Sequence, residues 1–181
     1  FIREFDPKGI ILSGGPNSVF EPGAPTADSA ILDLGIPVLG ICYGMQLVAR
    51  LAGGKVVPSS EREYGRAEVL IQETDLLFEG VVPDTSGGRV TVWMSHGDTV
   101  LAAPPGVRPL ATTTNTPVAA MVAPDRGLYA VQFHPEVAHT PQGQRVLENF
   151  LFQGAKLSRG WSMSSFVDQA VETVRAAVGR E

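Results

Sequence analysis

Cysteine is nearly absent. The 181-residue chain carries one, Cys42, so no disulfide can form within it. A lone thiol of this kind is either a buried filler or a reagent, and it suits a reducing compartment such as the cytoplasm. Basic runs are missing too. With 14 Lys and Arg against 19 Asp and Glu, the net charge is −5, which argues against a nucleic-acid partner, since backbone binding needs clustered cations. No apolar stretch approaches the roughly 18 residues of a membrane span, so no membrane partner is expected. No segment reads as a signal peptide. No spacing of His, Cys, Asp and Glu suggests a zinc or other metal site. Internal repeats and low-complexity tracts are likewise absent.

What remains is an ordinary globular composition, 44% apolar and 18% charged, enough to offset the ordering entropy of one domain with a small appendage. The 20 glycines and 14 prolines are scattered, which implies many tight turns. The chain opens Phe1-Ile2-Arg3 without a methionine and reads as if cut from something longer.

Gly9 to Ser13 and Pro37 to Ile41 are short apolar runs of the kind that form buried parallel strands. A helix is expected from Thr26 to Leu34, stopped by Gly35. A second follows from Tyr43 to Ala52, with Met45, Leu47, Val48 and Leu51 at helical spacing. Strand–helix–strand order implies a right-handed parallel crossover. Between Gly53 and Pro141 only short β-prone runs occur, at 55–58, 67–72, 90–95, 109–114, 118–122 and 128–133. The expected fold is therefore α/β: a mainly parallel open sheet flanked by helices, with additional antiparallel strands. Thr140-Pro141 begins another helix. Residues 154–164 read as a linker containing Trp161. Ser164 or Ser165 caps a last helix to Val178.

The lone cysteine stands in Gly40-Ile41-Cys42-Tyr43-Gly44, between a strand and a helix. This is G-x-C-x-G, the form of a nucleophile elbow with Cys in place of Ser. The flanking glycines leave room for a sharp turn, and the positive helix end should lower the thiol pKa. A thiolate nucleophile needs a base and an orienting carboxylate. Phe133-His134-Pro135-Glu136 ends a strand, Pro135 holds His134 extended, and residues two apart then share a side. The loop after the first strand, Gly14-Gly15-Pro16, can bring a glycine N–H close to a reacting centre. The Tyr43 N–H, just past the nucleophile, is the second candidate oxyanion donor. His96 is an alternative base, or a loop histidine with an Asp partner. His139 reads as an exposed residue near a helix start.

Taken together, these motifs resemble the triad-type (class I) glutamine amidotransferases, in order and in spacing. The resemblance implies Cys42 as nucleophile, His134 as general base and acid, and Glu136 as its orienting partner. It further implies Gly15 and Tyr43 as the oxyanion hole, with Gln46 and the Ser95-His96-Gly97 segment holding the substrate glutamine. Within the family, four features are most similar to the amidotransferase domain of GMP synthetases: the 9–18 run, Arg62-Glu63-Tyr64-Gly65, Trp93 to Asp98, and the stretch after Asn149-Phe150.

That likeness implies an amidotransferase domain at residues 1–154 and a linker and helix at 155–181. These would lead to an ATP pyrophosphatase domain beyond the chain, which would bind ATP and Mg and aminate XMP, in a homodimeric full-length enzyme. No cofactor is expected within the chain itself. The family's first strand, first helix and a second strand are expected to precede Phe1. Arg62 to Gly65 is expected to be an interdomain contact or a solvated charged turn. Three alternatives stay open: the amidotransferase part of an anthranilate or carbamoyl-phosphate synthase, a Cys peptidase or chaperone of similar fold, and a non-catalytic module.

Overall fold

The computed structural model describes residues 2–85, 87–160 and 163–179; Trp161, read as part of the linker, lies outside them. A short helix α1 (Ile2–Phe5) precedes strand β1 (Ile10–Leu12). Then come β2 (Val38–Ile41), α2 (Tyr43–Leu51), β3 (Lys55–Ile71), β4 (Arg89–Ala102), β5 (Arg108–Thr112), β6 (Ala120–Ala123) and β7 (Leu128–Val131). Helices α3 (Gly143–Glu148) and α4 (Met163–Val178) follow. The last helix starts at Met163, so Ser164 and Ser165 lie within its span and not ahead of it.

The seven strands form one sheet in the order β1-β2-β7-β6-β5-β3-β4. Among the described residues only β1, β2 and β7 pair in parallel, and every other pairing is antiparallel. The expected mainly parallel sheet is therefore corrected to a mixed one. Connection length is the reason. A parallel return needs a dozen or more residues, whereas β6 reaches β7 through the single turn Pro124–Arg126 closed by Gly127 in the left-handed region. Strands β2, β6 and β7 are buried at every position, as runs covered on both faces must be. Leu39, Met45, Leu110, Met121, Phe133 and Phe150 fill the interior on the two sides.

The expected Thr26–Leu34 helix shrinks to one 3₁₀ turn, Ser29–Asp33. Asp28, not Thr26, caps it by accepting the Ala30 N–H at 2.9 Å. Between Pro25 and Gly35, which has φ +72°, there is room for little more than a nucleus, and a helix nucleus is unfavourable by itself. The helix expected from Thr140-Pro141 begins at Gly143 and widens into a π-turn, Asn149–Gly154. There the Asn149 amide donates to the Leu77 and Glu79 carbonyls at 3.1 and 2.8 Å.

Candidate active site

The C-terminal ends of the three parallel strands meet at one place, where open α/β sheets bind ligands. β1 runs into Ser13-Gly14-Gly15, β2 into Cys42, and β7 into Gln132-Phe133-His134. The far edge strand β4 also returns to this point: the Trp93 carbonyl accepts the His134 N–H at 2.9 Å, and the Ser95 carbonyl accepts the Cys42 thiol proton at 3.3 Å.

Cys42 sits between β2 and α2 with φ +51° and ψ −107°, a conformation that costs a non-glycine residue of order 1–3 kcal/mol. Its two glycine neighbours are there for space. A Cβ on Gly40 would lie 2.8 Å from the Gly44 backbone, and one on Gly44 would overlap the Leu12 carbonyl oxygen. The elbow is thus pressed against the end of β1.

Gly14 stands between the nucleophile candidate and the histidine. A Cβ there would lie 2.7 Å from His134 Cε1 and 3.6 Å from Cys42 Cβ. The Nδ1 of His134 is 2.7 Å from Glu136 Oε1. Since a carboxylate only accepts, Nδ1 carries the proton and Nε2 is left as the acceptor. That Nε2 is buried and makes no hydrogen bond among the described residues. Thr140 fixes the histidine's backbone: its Oγ1 donates to the His134 carbonyl at 2.6 Å and accepts the Trp93 N–H at 3.0 Å.

The helix end does not win the contest over the thiol. Burial pushes the Cys42 pKa up to about 11, and the Glu136 charge adds to the rise. The Tyr43 N–H and Gln132 act in the other direction and lose. The sequence-based expectation of a lowered pKa is corrected accordingly: the resting group is a thiol, which donates to Ser95. The shift also links stability to pH. The ordinary value is 9.0 and the folded value about 11, so the folded state keeps a proton that the unfolded chain releases. The stabilisation is complete below pH 9 and lost from pH 9 to about 11, at about 1.4 kcal/mol per unit. Urea melts across that range should therefore show wild type losing more stability than Cys42→Ser, whose hydroxyl does not titrate. Parallel losses would contradict the burial effect.

A cleft of about 480 Å³ opens beside the thiol, bordered by Gly15, Cys42, Gln46, Arg62, Ser95 and Gly97 among others. Its volume suits a small polar ligand. Gln46 is buried and donates to the Asp98 carbonyl at 2.9 Å. The Asp98 carboxylate turns away and ties down the 13–25 loop, accepting Ser18 Oγ at 2.6 Å and the Val19 N–H at 3.2 Å.

His96 does not take Asp98's carboxylate as a partner. Its Nδ1 meets the Asp98 carbonyl at 2.9 Å and its Nε2 meets Glu63 Oε2 at 3.1 Å. Both contacts are to oxygens that accept, and together they engage both ring nitrogens. Burial pushes the Glu63 pKa up, but hydrogen bonds from His96, Thr113 and Thr116 together outweigh it and leave the carboxyl below its usual value. With both nitrogens engaged, His96 is not placed to act as the base. Arg62 to Gly65 proves to be neither loop nor turn but part of β3. Its first residue closes the irregular stretch between Pro58 and Glu63 where the β3–β4 register slips. Arg62 and Tyr64 line the cleft. His139 is exposed and its ring lies tilted by 35° against Trp93, with centroids 4.5 Å apart.

The sequence reading places Gly14 in the glycine loop at the reacting centre but not against His134, and it assigns no site role to Glu63, Thr140 or Gln132. For Gln132 a signal existed, since it lies two residues before His134 and directly after the buried run that forms β7.

Comparison with known proteins meets this geometry from another side. The family model "Glutamine amidotransferase class-I" matches residues 2–153. The chain belongs to the class-I glutamine amidotransferase family. It is 49% identical over 181 residues to a GMP synthase (glutamine-hydrolyzing) of Natranaerobius thermophilus and 50% identical over 178 residues to that of Caldanaerobacter subterraneus. These alignments take in 99% and 98% of the chain but 34% of each relative, so this amidotransferase chain spans about a third of their length. Among solved structures, a provisionally named GMP synthase subunit from Thermoplasma acidophilum superimposes with a TM-score of 0.68 at 28% identity. The superposition covers 82% of this chain and 73% of that one. The shared fold is the class-I amidotransferase α/β fold.

Proposed function

We propose that the chain hydrolyses glutamine to glutamate and ammonia through a thioester on Cys42. The observation that carries the reading is the convergence, around Gly14, of a thiol on a strained elbow and a histidine whose free, buried Nε2 is set by Glu136. Because the resting sulfur is protonated, His134 Nε2 must take its proton as substrate arrives. The thiolate attacks the carboxamide carbon. The oxyanion is held by the Gly15 and Tyr43 N–H groups. Collapse breaks the C–N bond, and the His134 imidazolium protonates the departing ammonia. A water then attacks the thioester, giving its proton to the same nitrogen, and glutamate leaves as the thiol is restored. Gln46 and the Ser95–Gly97 backbone hold the substrate in the cleft.

Residues 1–154 form the amidotransferase domain on this reading, and 155–181 a linker and helix toward a synthetase domain. Two observations support that division: the likeness to GMP synthases about three times as long, and the solvent-facing apolar residues Val167, Val171 and Val174 on α4. The synthetase partner would bind ATP and Mg and use the ammonia to aminate XMP to GMP.

His134→Ala should lose about 10³-fold or more in glutamine turnover. Glu136→Gln should retain at least about tenfold more activity than that, because an amide oxygen still accepts the Nδ1 proton, as in Cys-His-Asn enzymes. Steady-state glutamate release measures both. Equal activity of His134→Ala and wild type would remove His134 from the mechanism.

A further inference from the structure

Gln132 is a fully buried polar side chain whose amide nitrogen has no hydrogen-bond partner among the described residues. Polar groups buried in that state are uncommon and call for a reason. Its place in the sheet supplies one. β2 and β7 run parallel with Ile41 opposite Val131, and the Cys42 N–H continues the ladder to the Val131 carbonyl at 2.9 Å. The next positions along the two strands are Cys42 and Gln132, side by side.

The orientation of the carboxamide follows from a chain of obligatory roles. The Asp98 carbonyl can only accept, so the group that Gln46 presents to it is its NH₂. That same NH₂ lies 3.4 Å from the Gln132 side chain and can only donate, so Gln132 must present its oxygen. The Gln132 NH₂ is thereby freed from Gln46, and Gln132 already lowers the pKa of the neighbouring Cys42. A flipped amide would set two donors against each other.

The thiol and the thiolate need different neighbours. The thiol donates to the Ser95 carbonyl. Once the proton has gone to His134, that carbonyl faces a negative sulfur and repels it, and the sulfur then requires donors. We propose that the Gln132 carboxamide is the side-chain hydrogen-bond donor to the Cys42 thiolate, oriented by Gln46 and the Asp98 carbonyl. Its spare N–H is the counterpart of the Ser95 carbonyl: one stabilises the resting thiol, the other the reactive anion. Gln132 is thus a positioning and stabilising residue at the reacting atom, and Gln46 acts on both substrate and nucleophile.

This inference rests on Cys42 being the nucleophile, and the test separates the two. In the full chain, Cys42 is alkylated with iodoacetamide across a pH series, in wild type and in Gln132→Met, which keeps the volume and removes the donor. A hydrogen bond to a charged group corresponds to about tenfold to a hundredfold in equilibrium. Alkylation of Gln132→Met near neutral pH should therefore be slower by about that factor, with the rise in rate moved up by about one to two pH units. Circular dichroism establishes that the variant is folded. Should Gln132→Met not fold, Gln132→Glu, isosteric and still able to accept from Gln46, must show at least the same slowing. Wild-type reactivity in a folded Gln132 variant overturns the inference and leaves the nucleophile reading standing. A wild-type Cys42 inert across the series overturns both.

Discussion

Cys42→Ala should abolish glutamine hydrolysis, by about 10⁴-fold or more, while leaving the fold in place. Loss of a covalent nucleophile removes the whole thioester route, and what survives comes only from binding and oxyanion stabilisation. The fold should tolerate the change because the side chain is small, and its hydrogen bond to the Ser95 carbonyl borders the cleft and is not part of the sheet ladder. In a protein that also carries a synthetase domain, amination from added ammonium should persist, since free ammonia needs no thioester. Glutamate release and ammonium-dependent product formation, measured on the same preparation, distinguish the outcomes. Loss of both would make Cys42 a structural residue.

Gly44→Ala should be nearly as damaging for an unrelated reason. The new methyl would occupy the position of the Leu12 carbonyl oxygen and crowd the Leu12 backbone behind it. Backbone on both sides leaves no side chain to swing aside. Either β1 separates from the elbow or α2 shifts along its axis, and both move Cys42 away from Gly14 and His134. Overpacking a core by one methyl costs about 1–3 kcal/mol where side chains can adjust, so at least about 3 kcal/mol is expected here. That is a large part of a typical margin of ~5–15 kcal/mol and lowers Tm by at least about 6 °C. Gly87→Ala is the control, because a Cβ there meets only the flexible Arg89 side chain at 3.8 Å. Thermal melts and glutamine turnover report the two effects. A Gly44→Ala protein with the melt and turnover of the control would show that the elbow is looser than its contacts imply.

How much of this was legible beforehand depends on how local the physics is. Gly40-Ile41-Cys42-Tyr43-Gly44 encodes a turn within five residues, and the elbow is where those residues place it. His134 and Glu136 are two apart and meet at 2.7 Å, although β7 has already ended at Val131 and Pro135-Glu136 form a turn. Partners that come from distant strands were not legible. Glu63 meets His96 only because β3 and β4 pair through a slipped register. Gln46 and Gln132 are 86 positions apart. Gly14 reads as a turn glycine until His134 is packed against it. The sheet was misjudged for a similar reason. Alternating and continuous apolar runs mark strands but not their direction, and the connections that set direction become visible only when the pairing is known. The thiol pKa went wrong on magnitude. The motif shows the helix end beside Cys42, but the burial that outweighs it belongs to the whole fold.

Everything proposed for the site depends on Cys42 carrying the glutamyl group. Acid quenching of the full chain during turnover of glutamine, followed by intact-mass and peptide mass spectrometry, reads that out without an intermediary. One glutamyl addition per chain is expected, located on the peptide bearing Cys42, labile to hydroxylamine and absent from Cys42→Ala. Steady glutamate release with no adduct on Cys42 at any quench time, or with an adduct on another residue, would contradict it.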